Sequence, residues 1–162
     1  LVLDGGATPV GIESAIVDCT RGVPVLLRPG VLTRLQIEQA CGERLWLPDE
    51  MPDAAPRASG TLESHYAPDA KVRLMDARSL QAALDVLGAD ATPIAVYARA
   101  ALHSPAARLR RMPDDAVETA RQLFAVLRDF DAGGARLIWI ETPPDTPDWE
   151  GVHDRLRRAA AD

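Results

Sequence analysis

Four prolines, Pro48, Pro52, Pro56 and Pro68, punctuate one stretch of this chain and decide how the rest divides. Proline fixes φ and donates no backbone hydrogen bond, so neither a helix nor a central strand fits there. Three regions follow: 1–46, a connector over 47–70, and 71–162. The connector also carries Asp49, Glu50 and Asp53 and reads as extended. At ~3.1 Å per residue in polyproline geometry it reaches roughly 75 Å. A domain of ~90 residues is only roughly 30 Å across. The connector is longer than a joint requires, so it is expected to lie along a surface or to stay without fixed structure.

The region 71–162 alternates in period. Lys71–Met75, Thr92–Tyr97 and Arg136–Ile140 read as strands. Helices are expected over 79–87, ended by Gly88, and from Asp114/Asp115 to Gly133-Gly134. The second carries Val117, Ala120, Leu123, Phe124, Leu127 and Phe130 at helical spacing. A last helix is expected near Trp149 to Ala161, after Pro143-Pro144. A β-α-β-α-β-α order implies a small parallel sheet with helices on its faces, a Rossmann-like α/β layout.

The region 1–46 is smaller. Leu1–Leu3 reads as the end of a strand and Asp4-Gly5-Gly6 as a turn. Residues 12–18 and 24–28 read as two strands joined by the turn-prone 20–23. Thr33 is expected to cap a short helix from Arg34 to about Cys41, with Leu35, Ile37 and Ala40 available for packing and Gly42 at its end. A hairpin plus one helix is too little to be stable by itself.

Composition narrows the function. At 47% hydrophobic and 26% charged the chain is that of an ordinary soluble protein. No apolar run approaches the ~18 residues of a membrane span. The net charge of −6 argues against a stand-alone nucleic-acid binder, and so against direct tRNA binding. Lys71 is the only lysine among 18 basic residues, so nearly every cation is a planar guanidinium, suited to bidentate phosphate contacts. Cys19 and Cys41 match no zinc spacing and are expected to be reduced core thiols of a cytoplasmic protein.

Few residues announce chemistry. Gly5-Gly6 has neither the phosphate-loop nor the dinucleotide spacing and reads as a turn. Glu13-Ser14 at a strand edge suits either a small substrate or an ordinary alternating strand. Arg28 leaves an apolar strand just before Pro29-Gly30, where an arginine commonly meets a carboxylate or a phosphate; spacing leaves both open. The first two strand-to-helix junctions of 71–162 are not glycine-rich. His103 and His153 read as isolated surface residues. Arg155, Arg157 and Arg158 read as a cationic helix end that complements its dipole.

Taken in order, Leu3-Asp4-Gly5-Gly6, the run Thr8 to Asp18, Leu27-Arg28-Pro29-Gly30, Ser59-Gly60 and His65-Tyr66-Ala67-Pro68 resemble the threonylcarbamoyl-AMP synthases. They are most similar to the long form, which has a YrdC-like catalytic domain, a linker and a smaller Rossmann-like C-terminal domain; the closing Asp154-Arg155-Leu156 fits too. The resemblance implies three parts. Residues 1–46 would be the C-terminal part of the catalytic domain, 47–70 a linker that serves as an active-site lid, and 71–162 the Rossmann-like domain. It implies an enzyme that makes threonylcarbamoyl-adenylate and pyrophosphate from L-threonine, bicarbonate and ATP. The product serves threonylcarbamoyladenosine formation in tRNA, with other tRNA-modification proteins as possible partners. Ser14 would bind threonine; Arg28 and Tyr66 would bind ATP; Ser59, Gly60 and His65 would belong to the lid. Mg²⁺ is expected because ATP chemistry implies it, with no metal-ligating residues identified.

Two departures are visible. Ala15 stands where the family usually has threonine, and Ala58–Ser64 differs from its usual lid sequence. The family's Lys/Arg phosphate motif and Ser-Ala-Asn segment are absent, so these residues are expected to be a C-terminal part without synthase activity alone. The competing reading is a non-catalytic nucleotide-binding or regulatory module.

Overall fold

The computed structural model describes residues 1–6, 8–52 and 67–161. Its larger part is a four-stranded parallel sheet, β3 (Lys71–Met75), β4 (Ile94–Ala98), β5 (Arg108–Arg111) and β6 (Leu137–Glu141), in the order β3-β6-β4-β5. Helix α2 (Ala77–Leu87) follows β3, α3 (Ala116–Ala132) precedes β6, and α4 (Glu150–Ala159) closes the chain. This is the small Rossmann-like α/β arrangement expected from the sequence.

Strand alternation divides the core. Ile94, Val96 and Ala98 of β4 and Trp139 of β6 pack with Leu80 and Leu84 of α2. Ala95, Tyr97, Ile138 and Ile140 point the other way, onto Leu123, Leu127 and Phe130 of α3 and Val152 and Leu156 of α4. Each fully buried leucine or isoleucine contributes about 1.5–3 kcal/mol relative to exposure. Asp76 and Asp115 start α2 and α3 by accepting from the N–H groups of Ser79 and Glu118.

One strand has no counterpart in the sequence pattern. β5 reads Arg-Leu-Arg-Arg and all four of its residues are exposed, so it carries no alternating apolar signal. It joins the sheet edge through backbone pairing with β4 alone. The order is thus β-α-β-β-α-β-α. Val117 is also exposed, although it shares the helical spacing of the buried face.

The smaller part is an antiparallel hairpin, β1 (Ile16–Asp18) and β2 (Val25–Arg28), followed by α1 (Arg34–Cys41). Thr33 and Gln36 form a reciprocal capping box and Gly42 ends the helix at φ +74°, as its sequence indicates. Three expectations fail here. Leu1–Leu3 forms no strand and is fully exposed, having no partner strand to pair with among the described residues. Helix α1 buries no residue. Cys19 and Cys41 are exposed free thiols, not core groups.

The described ends of the connector are not plainly extended. Trp46 bridges Val25, and Pro48–Glu50 makes a single 3₁₀ turn with proline at its start, where the missing donor costs nothing. At the other end the N–H groups of Asp69 and Ala70 donate to the Asp131 carboxylate at 2.9 and 3.0 Å.

The two parts touch directly. Ile12 is buried in the α3–α4 core, and Val31 packs beside it. Gly11, at φ +83°, lies so close to α3 that a Cβ there would sit 2.2 Å from Arg121 Cα. A Cβ on Gly151 of α4 would sit 2.5 Å from the Gly30 carbonyl. Glycine is what permits both approaches.

Candidate functional site

The hairpin brings Ser14 and Arg28 together. Arg28 is 6% exposed, and its Nε and Nη2 both donate to the Ser14 carbonyl, at 3.1 and 2.9 Å. Ser14 itself is exposed. A buried guanidinium thus fixes the backbone of a residue that is open to solvent. The positive charge of Arg28 reaches Glu13 next door.

Glu13 has a second cation. Arg155 of α4 donates from Nε to Glu13 Oε2 at 2.6 Å, from Nη2 to the Glu13 carbonyl at 3.3 Å and from Nη1 to the Pro29 carbonyl at 3.1 Å. Nη1 also meets Asp154, whose carboxylate is shared with Arg158. Burial by itself would raise the Glu13 carboxyl. The Arg155 hydrogen bond, a backbone bond and the charges of Arg155 and Arg28 outweigh it and hold Glu13 below its ordinary 4.5.

The sequence suggests a dipole-complementing surface cation at Arg155; instead it is 4% exposed. One signal was available. Val152, Leu156 and Ala159 form the buried stripe of α4, and Arg155 falls within it. A charge on a helix's apolar face requires a partner.

Of the other sequence candidates, Ser59, Gly60, His65 and Tyr66 lie outside the described residues. His103 is exposed, whereas His153 is half-buried with Nε2 3.0 Å from the Pro144 carbonyl. Among the described residues no group of three or more His, Cys, Asp or Glu is placed to hold a metal ion, and no helix is long and apolar enough to cross a membrane.

Two further places invite a ligand. Open parallel sheets bind at the carboxyl ends of their strands. Here the part of that end above β4 and β6 is filled by the protein's own groups: Glu141, 6% exposed, accepts from Ala100 N–H at 2.7 Å and from Arg99 at 2.9 Å, and Arg99 lies 5.9 Å over Trp149, leaving a cavity of only about 160 Å³ beside Ala98, Leu102 and Arg111. A cleft of about 520 Å³ opens between α1 and α4, lined by Arg34, Glu38, Glu150, His153 and Arg157 among others. It contains neither Ser14 nor Arg28. Burial raises Glu150 there, against the charges of Arg34 and Arg157.

Residues 32–161 match the family model described as threonylcarbamoyl-AMP synthase, C-terminal domain. Similar curated proteins include the threonylcarbamoyl-AMP synthase of Pyrococcus abyssi, 31% identical over 168 residues, covering 98% of this chain and 48% of that protein. That of Bacillus subtilis is 30% identical over 174 residues, with 98% and 48% covered. Among solved structures, Pyrococcus abyssi Sua5 complexed with L-threonine superposes with a TM-score of 0.81 at 30% identity, over 97% of this chain and 48% of that one. A variant of that protein with an adjoining histidine and tyrosine both changed to alanine gives 0.79 at 29% identity, over 97% and 47%. The chain spans about half the length of the curated relatives it matches.

Proposed function

The chain belongs to the threonylcarbamoyl-AMP synthase family through its C-terminal domain, and on that premise we propose that it is the carboxyl-terminal part of an L-threonylcarbamoyladenylate synthase. In this reading 1–46 completes the catalytic domain, 47–70 is the linker and lid, and 71–162 is the domain that anchors both. Bicarbonate and the threonine amine condense to a carbamate with loss of water. A carbamate oxygen then attacks the α-phosphorus of ATP, and the bond to the β-phosphate breaks to release pyrophosphate. The product would serve threonylcarbamoyladenosine formation in cytoplasmic tRNA, with other tRNA-modification proteins as partners.

The observation that carries the reading is the buried Arg28 guanidinium locked to the backbone of an exposed Ser14. In this proposal the Ser14 hydroxyl takes part in holding threonine, and the cation beneath it favours the anionic nucleotide and the charge that develops on phosphorus. His65 and Tyr66 are this chain's one His-Tyr pair, and a relative was made with such a pair replaced by alanine. That supports a role for the pair: with Ser59 and Gly60 they would close over the site and keep water from the carbamate and the mixed anhydride. The described residues offer no carboxylate cluster for Mg²⁺. The metal expected with ATP would therefore have no protein cluster among them, and no step is assigned to it.

Pyrophosphate release from ATP, L-threonine and bicarbonate tests the proposal. The product of the complete reading frame should turn over only with all three substrates, and the 162 residues alone should not. Turnover that ignores threonine would refute the proposed reaction.

A further inference from the structure

Among the described residues, Arg155 is the buried cation whose contacts close a ring around the proposed site. Its fork reaches Glu13 and Pro29, and these are the immediate chain neighbours of Ser14 and Arg28. Arg28 in turn holds the Ser14 carbonyl. The backbone before β1 and the backbone after β2 are therefore fixed at both ends, by Arg28 within the hairpin and by Arg155 from α4. Nothing in the hairpin's own pairing does this: the strand ladder begins only at Ile16, where the register with Arg28 shifts.

Burying a guanidinium costs several kcal/mol unless its donors are satisfied. A hydrophobic residue at 155 would fill the α4 stripe without that cost, so packing alone gives no reason for a charge there. What only arginine supplies is a rigid planar fork that reaches a carboxylate and two carbonyls of separate segments at once. Lysine keeps the charge but has no fork. Close packing sets the distance across which the fork works, since Gly151, one helical turn before Arg155, meets the Gly30 carbonyl without a Cβ between them.

We infer that Arg155 is a positioning residue: from the carboxyl-terminal domain it sets the Glu13–Ser14 and Arg28–Gly30 backbones so that Ser14 and Arg28 face one ligand. This rests on the synthase reading for its consequence, but the positioning can be read without it. The C-terminal domain then acts on substrate binding directly, through one side chain, in addition to anchoring the linker.

Hydrogen exchange on the 162-residue chain reads the positioning. Arg155→Lys should speed exchange at Ile16 and Arg28, the ladder pair next to the fork, by about tenfold or more, while the β4 and β6 amides stay as slow as in the parent. In the product of the complete reading frame, Arg155→Lys should raise KM for threonine about tenfold with a smaller fall in kcat. Glu13→Gln added to it should cost little more, because both act through one contact. Unchanged local exchange, or an active, folded Arg155→Lys enzyme with the parent's threonine KM, overturns the inference; so does faster exchange everywhere. A parent enzyme that makes no threonylcarbamoyl-adenylate, yet shows the local exchange pattern, sinks the synthase reading and leaves the positioning standing.

Discussion

Glu13 and Arg155 are separated by 142 positions and meet at 2.6 Å, the arginine side chain 3% exposed and the carboxylate 26%. The asymmetry makes the pair sensitive to acid. Glu13 is held below its ordinary 4.5 in the folded protein, so the unfolded chain takes up its proton first as pH falls. The stability it contributes is complete above about pH 4.5 and is lost as pH drops through the lowered folded value. Glu13→Gln should therefore be less stable than the parent at pH 7, and the gap should narrow below pH ~4. Urea unfolding at pH 7, 5, 4 and 3 checks this; a gap that stays constant across the series would contradict it.

Two glycines with nearly the same backbone separate docking from strain. Gly134 lies at φ +78° with nothing within 4 Å of where a Cβ would stand, while Gly11 lies at φ +83° with Arg121 Cα 2.2 Å from that point. Gly134→Ala should cost only the left-handed backbone penalty, about 1–2 kcal/mol. Gly11→Ala adds a collision with the α3 backbone and should lose about 1–3 kcal/mol more. Equal losses in urea unfolding would mean that the loop before β1 does not rest on α3 in solution.

Tyr97 offers a spectroscopic check on the α3 face of the sheet. It is fully buried, and burial pushes its phenol up to about 12. The chain has two tyrosines, so in Tyr66→Phe only Tyr97 reports. Phenolate absorbance should then appear near pH 12. The stability linked to it is full below pH ~10 and falls as pH rises towards about 12, because the unfolded tyrosine ionises first. Titration near pH ~10 in a protein still folded by circular dichroism would show that the α3 face is open to water.

The parallel sheet was legible because β4 and β6 are buried apolar strands and β3 keeps an apolar residue buried at Val72 between exposed Lys71 and Arg73, all bounded by helix caps and glycines that match their roles. β5 was not, since its Arg-Leu-Arg-Arg is exposed at an edge and held by main-chain bonds that leave no pattern in side chains. The short helix α1 is signalled by Thr33 and Gly42, yet its apolar residues give no warning that they stay uncovered. Ser14 and Arg28 can be singled out one at a time, but that they meet depends on the hairpin register. The Glu13–Arg155 contact crosses nearly the whole chain. Local sequence can say that a charge on an apolar stripe needs a partner, not which partner it finds.

The C-terminal domain is expected to bind no nucleotide tightly at the end of its sheet. A phosphate at the carboxyl ends of parallel strands is held by loop N–H groups and cations. Here the Ala100 N–H and the Arg99 guanidinium are both engaged by Glu141, so an incoming phosphate would have to displace a buried carboxylate and face its charge. The strand-to-helix turns beside it lack the glycines that let a backbone wrap a phosphate. Calorimetric titration of the 162-residue chain with ATP, ADP and AMP should therefore show no binding tighter than about 1 mM, a free energy of about −4 kcal/mol. Glu141→Gln, which removes the charge and keeps the shape, should gain at most weak, salt-sensitive binding. Micromolar affinity that survives Arg28→Lys and Tyr66→Phe, which alter the other proposed nucleotide contacts of this chain, would place a nucleotide at the sheet end and overturn this expectation.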